Sequence, residues 1–269
     1  MSNLILKDKV VLVTGAAGGF GRRTCEELAK AGAWVVATDV DRDGAAETAS
    51  KCASHGAKAW SHAHDVTSEA DWRRVIDAVA EHAGGRLDGL VNNAGKMLTK
   101  PFLRTSVAEL RQLHAINLES VWIGSQTAYP LLEHTANAHG GASIVNVSSV
   151  FGQVAAVAQA AYSATKGGLT VLTKSMAAEF ARAGCGVRVN SVHPGPGNTP
   201  LLANGLQELL SEGLAASAQQ ATAFVLGLIP NGRLTEPEDV ANAILFLCSD
   251  LSKQITGAEI TVDGGYTAV

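Results

Sequence analysis

Short runs of β-branched and other apolar residues alternate along the chain with longer stretches in which apolar positions recur every three or four residues. That alternation predicts crossover units feeding a parallel sheet. Strands are expected at residues 10–14, 34–39, 57–64, 89–92, 143–148, 187–193 and 259–262, with helices at 22–31, 44–54, 69–82, 107–132, 161–183 and 238–247. The strand runs lack strict apolar/polar alternation, which predicts strands covered on both faces. No internal repeat, low-complexity tract or Pro/Gly-rich linker divides the sequence, so the expectation is a single α/β domain over residues 1–269 built on a doubly wound sheet.

One region departs from the pattern. Residues 194–230 open on a proline and glycine cluster and continue through Leu201, Leu202, Leu206, Leu209, Leu210, Leu214, Phe224, Val225 and Leu228. A long excursion of this kind reads either as a substrate lid, at about 195–230, or as a helical hairpin packed on the core.

Composition narrows the function classes. With 269 residues, 46% hydrophobic and 17% charged, the chain can bury a large core. A net charge of −4 gives no general attraction to nucleic acid or anionic membrane, and neither partner is expected. The four cysteines, Cys25, Cys52, Cys185 and Cys248, have neither zinc-site spacing nor the density of a disulfide framework, and read as buried thiols. No signal-peptide core or membrane-length apolar run is visible, so a cytoplasmic protein is expected. The pair His62 and His64 shares one strand face without an obvious third ligand, and no metal is expected.

The candidate chemistry sits at the predicted strand ends. Directly after the first strand comes Thr14-Gly15-Ala16-Ala17-Gly18-Gly19-Phe20-Gly21, followed by a helix. A pyrophosphate needs close backbone approach, amide hydrogens and the positive end of a helix, which strand, glycine turn and helix supply together. Asp39 ends the next strand, where a carboxylate can bind ribose hydroxyls and repel a 2′-phosphate; no Lys or Arg lies within the glycine turn, so NAD is favoured over NADP. Its other reading is a solvated strand end or helix cap. Asp65 and Val66 close the third strand and are placed near an adenine, and Asn93, Ala94 and Gly95 close the fourth. Tyr162 and Lys166 lie four apart on a predicted helix and therefore share a face, so the ammonium is placed to stabilise a phenolate.

In order along the chain, Thr14-Gly15-x-x-x-Gly19-x-Gly21, Asn92-Asn93-Ala94-Gly95, Asn117, Ser149, Tyr162-x-x-x-Lys166, Pro194-Gly195 and Val262-Asp263-Gly264-Gly265 resemble the signatures of the short-chain dehydrogenase/reductase family. The resemblance covers essentially the whole chain. It implies a Rossmann-type domain with a seven-stranded parallel sheet, commonly assembled as a homotetramer. It also implies Tyr162 as the acid/base, Lys166 as a ligand of the nicotinamide ribose that lowers the tyrosine pKa, and Ser149 as the group that polarises the substrate oxygen. Ser148 competes for that last role, but Ser149 has the family spacing to Tyr162. Asn117 would anchor a water that links Lys166 to solvent. Thr199 keeps the hydroxyl expected near the nicotinamide carboxamide, and otherwise caps a helix that begins near Leu201. One position departs: many relatives carry a branched apolar residue two positions after Pro194-Gly195, and here it is Gly197, whose backbone amide remains available.

The substrate side is expected to be apolar, lined by Met97, Leu98, Phe151, Val154, Val157 and the leucines of 195–230, which suits a hydrophobic alcohol or ketone. Two phrases, residues 64–72 and 116–124, resemble bacterial hydroxysteroid dehydrogenases of the same family. The expected activity is NAD-dependent interconversion of a cyclic, aromatic or steroid-like secondary alcohol and its ketone. An NADP-dependent carbonyl or 3-oxoacyl reductase is the alternative within the class. A dinucleotide-sensing regulator without turnover would predict loss of the tyrosine or lysine, and both are present.

Overall fold

The computed structural model describes residues 4–269. Its first half alternates β1 (Val10–Thr14), α1 (Gly19–Lys30), β2 (Trp34–Asp39), α2 (Arg42–Ser54), β3 (Ala59–Ala63), α3 (Glu69–His82) and β4 (Gly89–Asn92). The second half continues with α4 (Val107–His114), α5 (Ser120–His139), β5 (Ala142–Val147), α6 (Ala160–Ala183), β6 (Val187–Pro194), α7 (Pro200–Ser211), α8 (Ala218–Gly227), α9 (Pro237–Cys248) and β7 (Glu259–Val262). The seven strands pair in parallel in the order β3-β2-β1-β4-β5-β6-β7. Strand order reverses between β1 and β4, and the crevice at such a reversal is where open α/β sheets take ligands.

Period-2 geometry explains the two cores. Val11 and Val13 of β1 pack with Cys25 and Leu28 of α1 and with Val240, Ile244 and Leu247 of α9. Val10 and Leu12 point the other way, into a layer made by Trp72, Val75 and Val79 of α3, Ala128 and Leu132 of α5, and Ala177 of α6. All four cysteines are free and buried among these layers.

The expected helix 107–132 is a correction. It is two helices separated by a π turn at Ala115–Glu119. The chain stays helical on both sides of the turn, with His114 at φ −59 and ψ −49 and Ser120 at φ −57 and ψ −39, so the two helices follow each other without a loop. The strand expected at 57–64 is shorter, with only Ala59–Ala63 paired to β2 and the residues on either side leading from one turn and into the next.

Residues 64–72 and 116–124 meet across the fold. A Cβ on Gly124 would stand 2.3 Å from Trp72 Cζ2, so the glycine leaves the space that the indole fills. The Trp72 Nε1–H donates to the Val66 carbonyl at 2.9 Å. The two phrases form a packing joint between α3 and α5.

Candidate active site

The glycine turn is fastened to the neighbouring strand before it can hold anything. The Thr14 hydroxyl accepts the amide hydrogens of Asn93 and Ala94, each at 3.0 Å. Asn93 returns two bonds through Nδ2, to the carbonyls of Thr14 at 2.9 Å and Gly15 at 3.0 Å. Gly15 sits at φ +66 and Gly19 at φ +53, left-handed values that favour glycine. Gly21 answers a different need: a Cβ there would lie 2.1 Å from the Gly15 carbonyl oxygen, so only glycine lets α1 approach the turn. Gly18 is the N-cap of α1, without a side-chain cap, and no acidic residue occupies the first turn. A Cβ on Gly18 would meet nothing within 4 Å. Uncapped amides beside open space fit an anionic pyrophosphate.

Asp39 borders the same cavity. One carboxylate oxygen accepts from Ala17 N at 2.9 Å and the other from Asp41 N at 3.0 Å, so it shapes the turn as well as facing the crevice. Arg22, a nearby cation, is bound to Glu47 at 2.9 Å and to the Ala17 carbonyl at 2.6 Å. Asp65 and Val66 are not among the cavity's lining residues. Asp65 accepts from the amide and hydroxyl of Thr67, and Val66 accepts from Trp72.

The cavity, of about 770 Å3, runs from Asp39 and the glycine turn past Asn93, Ala94 and Gly95 to Ser149, Tyr162 and Lys166. Ser149 follows β5 and Tyr162 lies in the first turn of α6 with Lys166 one turn further on. The Ser149 hydroxyl accepts from Phe151 N at 3.2 Å and borders the same cavity as Tyr162. Ser148 instead donates to the Lys166 carbonyl at 3.1 Å and pairs with Thr170, which fixes β5 against α6. Both serines border the cavity, and Ser148 is the one whose hydroxyl is engaged by α6.

Burial governs the electrostatics of the pair. Burial pushes the Tyr162 phenol up to about 12, against a smaller downward pull from Ser149. Burial also pushes Lys166 down to about 8. Lys166 Nζ donates to the Val147 carbonyl at 2.8 Å and lies 5.8 Å from the centroid of the Tyr162 ring. In the protein alone, desolvation dominates and holds the tyrosine in its protonated, donor form at neutral pH.

Asn117 lies in the π turn and is fully buried. Its Oδ1 accepts from Lys96 N at 2.8 Å, and its Nδ2 donates to the Lys96 carbonyl at 2.9 Å and to Thr165 Oγ1 at 3.0 Å. The side chain thus holds the segment after Gly95 beside α6. His193 faces inward: its Nδ1 is 3.0 Å from the Ser149 carbonyl and its Nε2 is 2.8 Å from Ser191 Oγ. Burial chiefly lowers its pKa.

Pro194, Gly195, Gly197 and Thr199 form the wall opposite the glycine turn. Thr199 also caps α7, accepting from Leu202 N at 3.5 Å. Beyond Tyr162 the cavity becomes apolar, with Met97, Phe151, Val157, Leu206, Phe224 and Leu228 on its walls. Leu98 and Val154, expected there, are not among the lining residues. Gln159 and Tyr266 line it without having been singled out from sequence. Gln159 is the N-cap residue of α6 just before Tyr162, outside the helix expected from sequence. Nothing local marks Tyr266.

This arrangement defines a nicotinamide-dinucleotide oxidoreductase site, and the chain belongs to the short-chain dehydrogenase/reductase family. The family described as Enoyl-(Acyl carrier protein) reductase matches residues 15–267. The chain is 40% identical over 263 residues to a cyclopentanol dehydrogenase of Comamonas testosteroni, covering 98% of each. It is 36% identical to the NADP-dependent (R)-specific alcohol dehydrogenase of Lentilactobacillus kefiri, again covering 98% of each. The crystal structure of levodione reductase superposes with a TM-score of 0.90 at 30% identity, covering 98% of this chain and 99% of that one. Among the described residues, no helix is long and apolar enough to cross a membrane.

Proposed function

We propose that the protein is an NAD-dependent dehydrogenase that interconverts a hydrophobic, cyclic or aromatic secondary alcohol and its ketone. The observation that carries this reading is one continuous cavity with a carboxylate and glycine turn at one end, Ser149, Tyr162 and Lys166 at its middle, and an apolar chamber beyond. The cofactor supplies the hydride acceptor or donor. Gly15, Gly19, Phe20, Asp39, Asn93, Ala94, Gly95, Pro194, Gly195, Gly197 and Thr199 would hold it, with Thr14 and Gly21 shaping the turn beneath. Asp65 and Val66 would act only through the turn that follows β3. Asp39 supports NAD because a 2′-phosphate would face its charge.

In this reading Ser149 donates to the substrate oxygen and orients it, and Tyr162 exchanges a proton with that oxygen. A phenol held near about 12 is a competent donor toward an alkoxide but a weak base. Oxidation of an alcohol therefore requires Lys166 to be charged, since a cation lowers the phenol. Asn117 holds the loop that keeps Lys166 in place and would link it to solvent. The apolar helices α7 and α8 would form the lid over the substrate. The relative named for cyclopentanol supports a ring alcohol as the substrate class.

Exposed Trp122 and Val171, on α5 and α6, support assembly as a homotetramer through those helices. Four free buried thiols suit a reducing cytoplasm.

The test is a screen of ring alcohols, ketones and hydroxysteroids with both NAD(H) and NADP(H), alongside Tyr162→Phe. The substitution should leave dinucleotide binding intact and lower kcat by about 100-fold or more. Activity confined to polyols or acyl thioesters would sink the substrate reading. An active Tyr162→Phe would sink the mechanism.

A further inference from the structure

Gly197 stands where many relatives carry a branched apolar side chain, and the structure shows what takes up that space. A Cβ built on Gly197 would lie 2.3 Å from Phe20 Cζ, 3.0 Å from Cε1 and 3.4 Å from Cε2. Ordinary carbon contacts are about 3.5 to 4.0 Å, so the phenyl ring in its present position and a side chain at 197 cannot share this space. Phe20 belongs to the first turn of α1, and its ring also packs against the core beneath β1. Close by, a Cβ on Gly19 would lie 3.6 Å from Thr199 Cβ, so the glycine turn and the 194–199 loop face each other about one carbon's contact distance apart. Phe20, Gly197 and Thr199 all border the cavity.

We propose that Phe20 is a positioning residue for the nicotinamide end of the site: its ring, reaching across from the glycine turn, supplies the apolar wall that a branched side chain at 197 would otherwise supply. The proposal rests on the reading of this cavity as a dinucleotide site. The wall is borrowed from another element, so its placement depends on the spacing between α1 and the 194–199 loop. A side chain introduced at 197 displaces the far end of the ring, and the open direction for it is the cavity. Folding therefore survives the change better than binding does.

The test compares Gly197→Val, Phe20→Ala and the double variant by titrating each with NADH, followed by nicotinamide fluorescence, and with ADP-ribose, which lacks the nicotinamide. Thermal midpoints are measured without ligand. Gly197→Val should weaken NADH binding by about tenfold or more, as expected for overpacking, while ADP-ribose affinity stays within about threefold. Phe20→Ala should weaken NADH by several-fold, and the double variant should recover to within about threefold of the parent because valine then fills the vacated space. The inference is overturned if Gly197→Val binds NADH like the parent, if the double variant binds no better than Gly197→Val, or if NADH and ADP-ribose weaken equally. A parent chain that binds neither NADH nor NADPH overturns the cofactor reading itself, and this inference with it.

Discussion

Replacing Lys166 with methionine should make the ligand-free protein more stable while removing its activity. Lys166 is 4% exposed, and burial pushes its ammonium from 10.5 down to about 8. One pKa unit corresponds to about 1.4 kcal/mol, so keeping the charge inside below pH 8 costs the folded state roughly 3 kcal/mol. Between about pH 8 and 10.5 the unfolded chain binds the proton more tightly than the folded one. Stability therefore rises with pH across that window as the penalty is relieved. Methionine keeps the apolar stem without the charge, and forfeits the bond to the Val147 carbonyl, a loss of about 1 kcal/mol. The net gain at pH 7 is about 2 kcal/mol. Tyr162 titrates higher, and both chains share the destabilisation it brings as pH rises from 10 toward 12. The assay is urea unfolding of parent and variant at pH 7 and pH 10.5, with turnover measured in parallel. A variant no more stable than the parent at pH 7, or a gain that persists undiminished at pH 10.5, refutes the account of Lys166 as a strained buried charge.

Two further predictions concern the cofactor end and the fold. Asp39→Ser should move the ratio of kcat/KM values toward NADP by about tenfold or more, because the charge facing a 2′-phosphate is gone; an unchanged ratio from paired kinetics would contradict the role of that carboxylate. Gly124→Ala should lower stability by about 1 to 3 kcal/mol, read from denaturant midpoints, because the new Cβ meets the Trp72 indole. Its kcat/KM should hold, since neither residue lines the cavity, and loss of activity without loss of stability would contradict that placement.

Most of the sheet was legible because its strands are covered on both faces, so apolar runs and their turn residues mark the ends. β1, β2, β4 and β7 fall where the pattern put them. The break after His114 was not legible, because a π turn carries no glycine, proline or cap residue to mark it and both flanks remain helical. The candidate site residues were legible as motifs, and Tyr162, Lys166 and Ser149 do border one cavity. Their energetics were not. Spacing reported that a cation follows the tyrosine by one turn, but not that both groups are desolvated or that the ammonium is drawn to the Val147 carbonyl. Contacts between residues far apart in the chain, such as Trp72 with Gly124 and Phe20 with Gly197, leave no periodic trace and emerge only when the elements pack.

The four cysteines carry a consequence of a different kind. Each is buried, and burial raises the pKa of Cys25, Cys52 and Cys248, the last two to about 12. A thiol-specific reagent attacks the thiolate, so the native protein offers it almost nothing. Cys25, Cys52 and Cys248 belong to the core on the α1 and α9 side of the sheet, and Cys185 to the core on the other side. Alkylation counted by mass would therefore time the opening of each layer separately, giving the chain a built-in clock for unfolding that needs no added label.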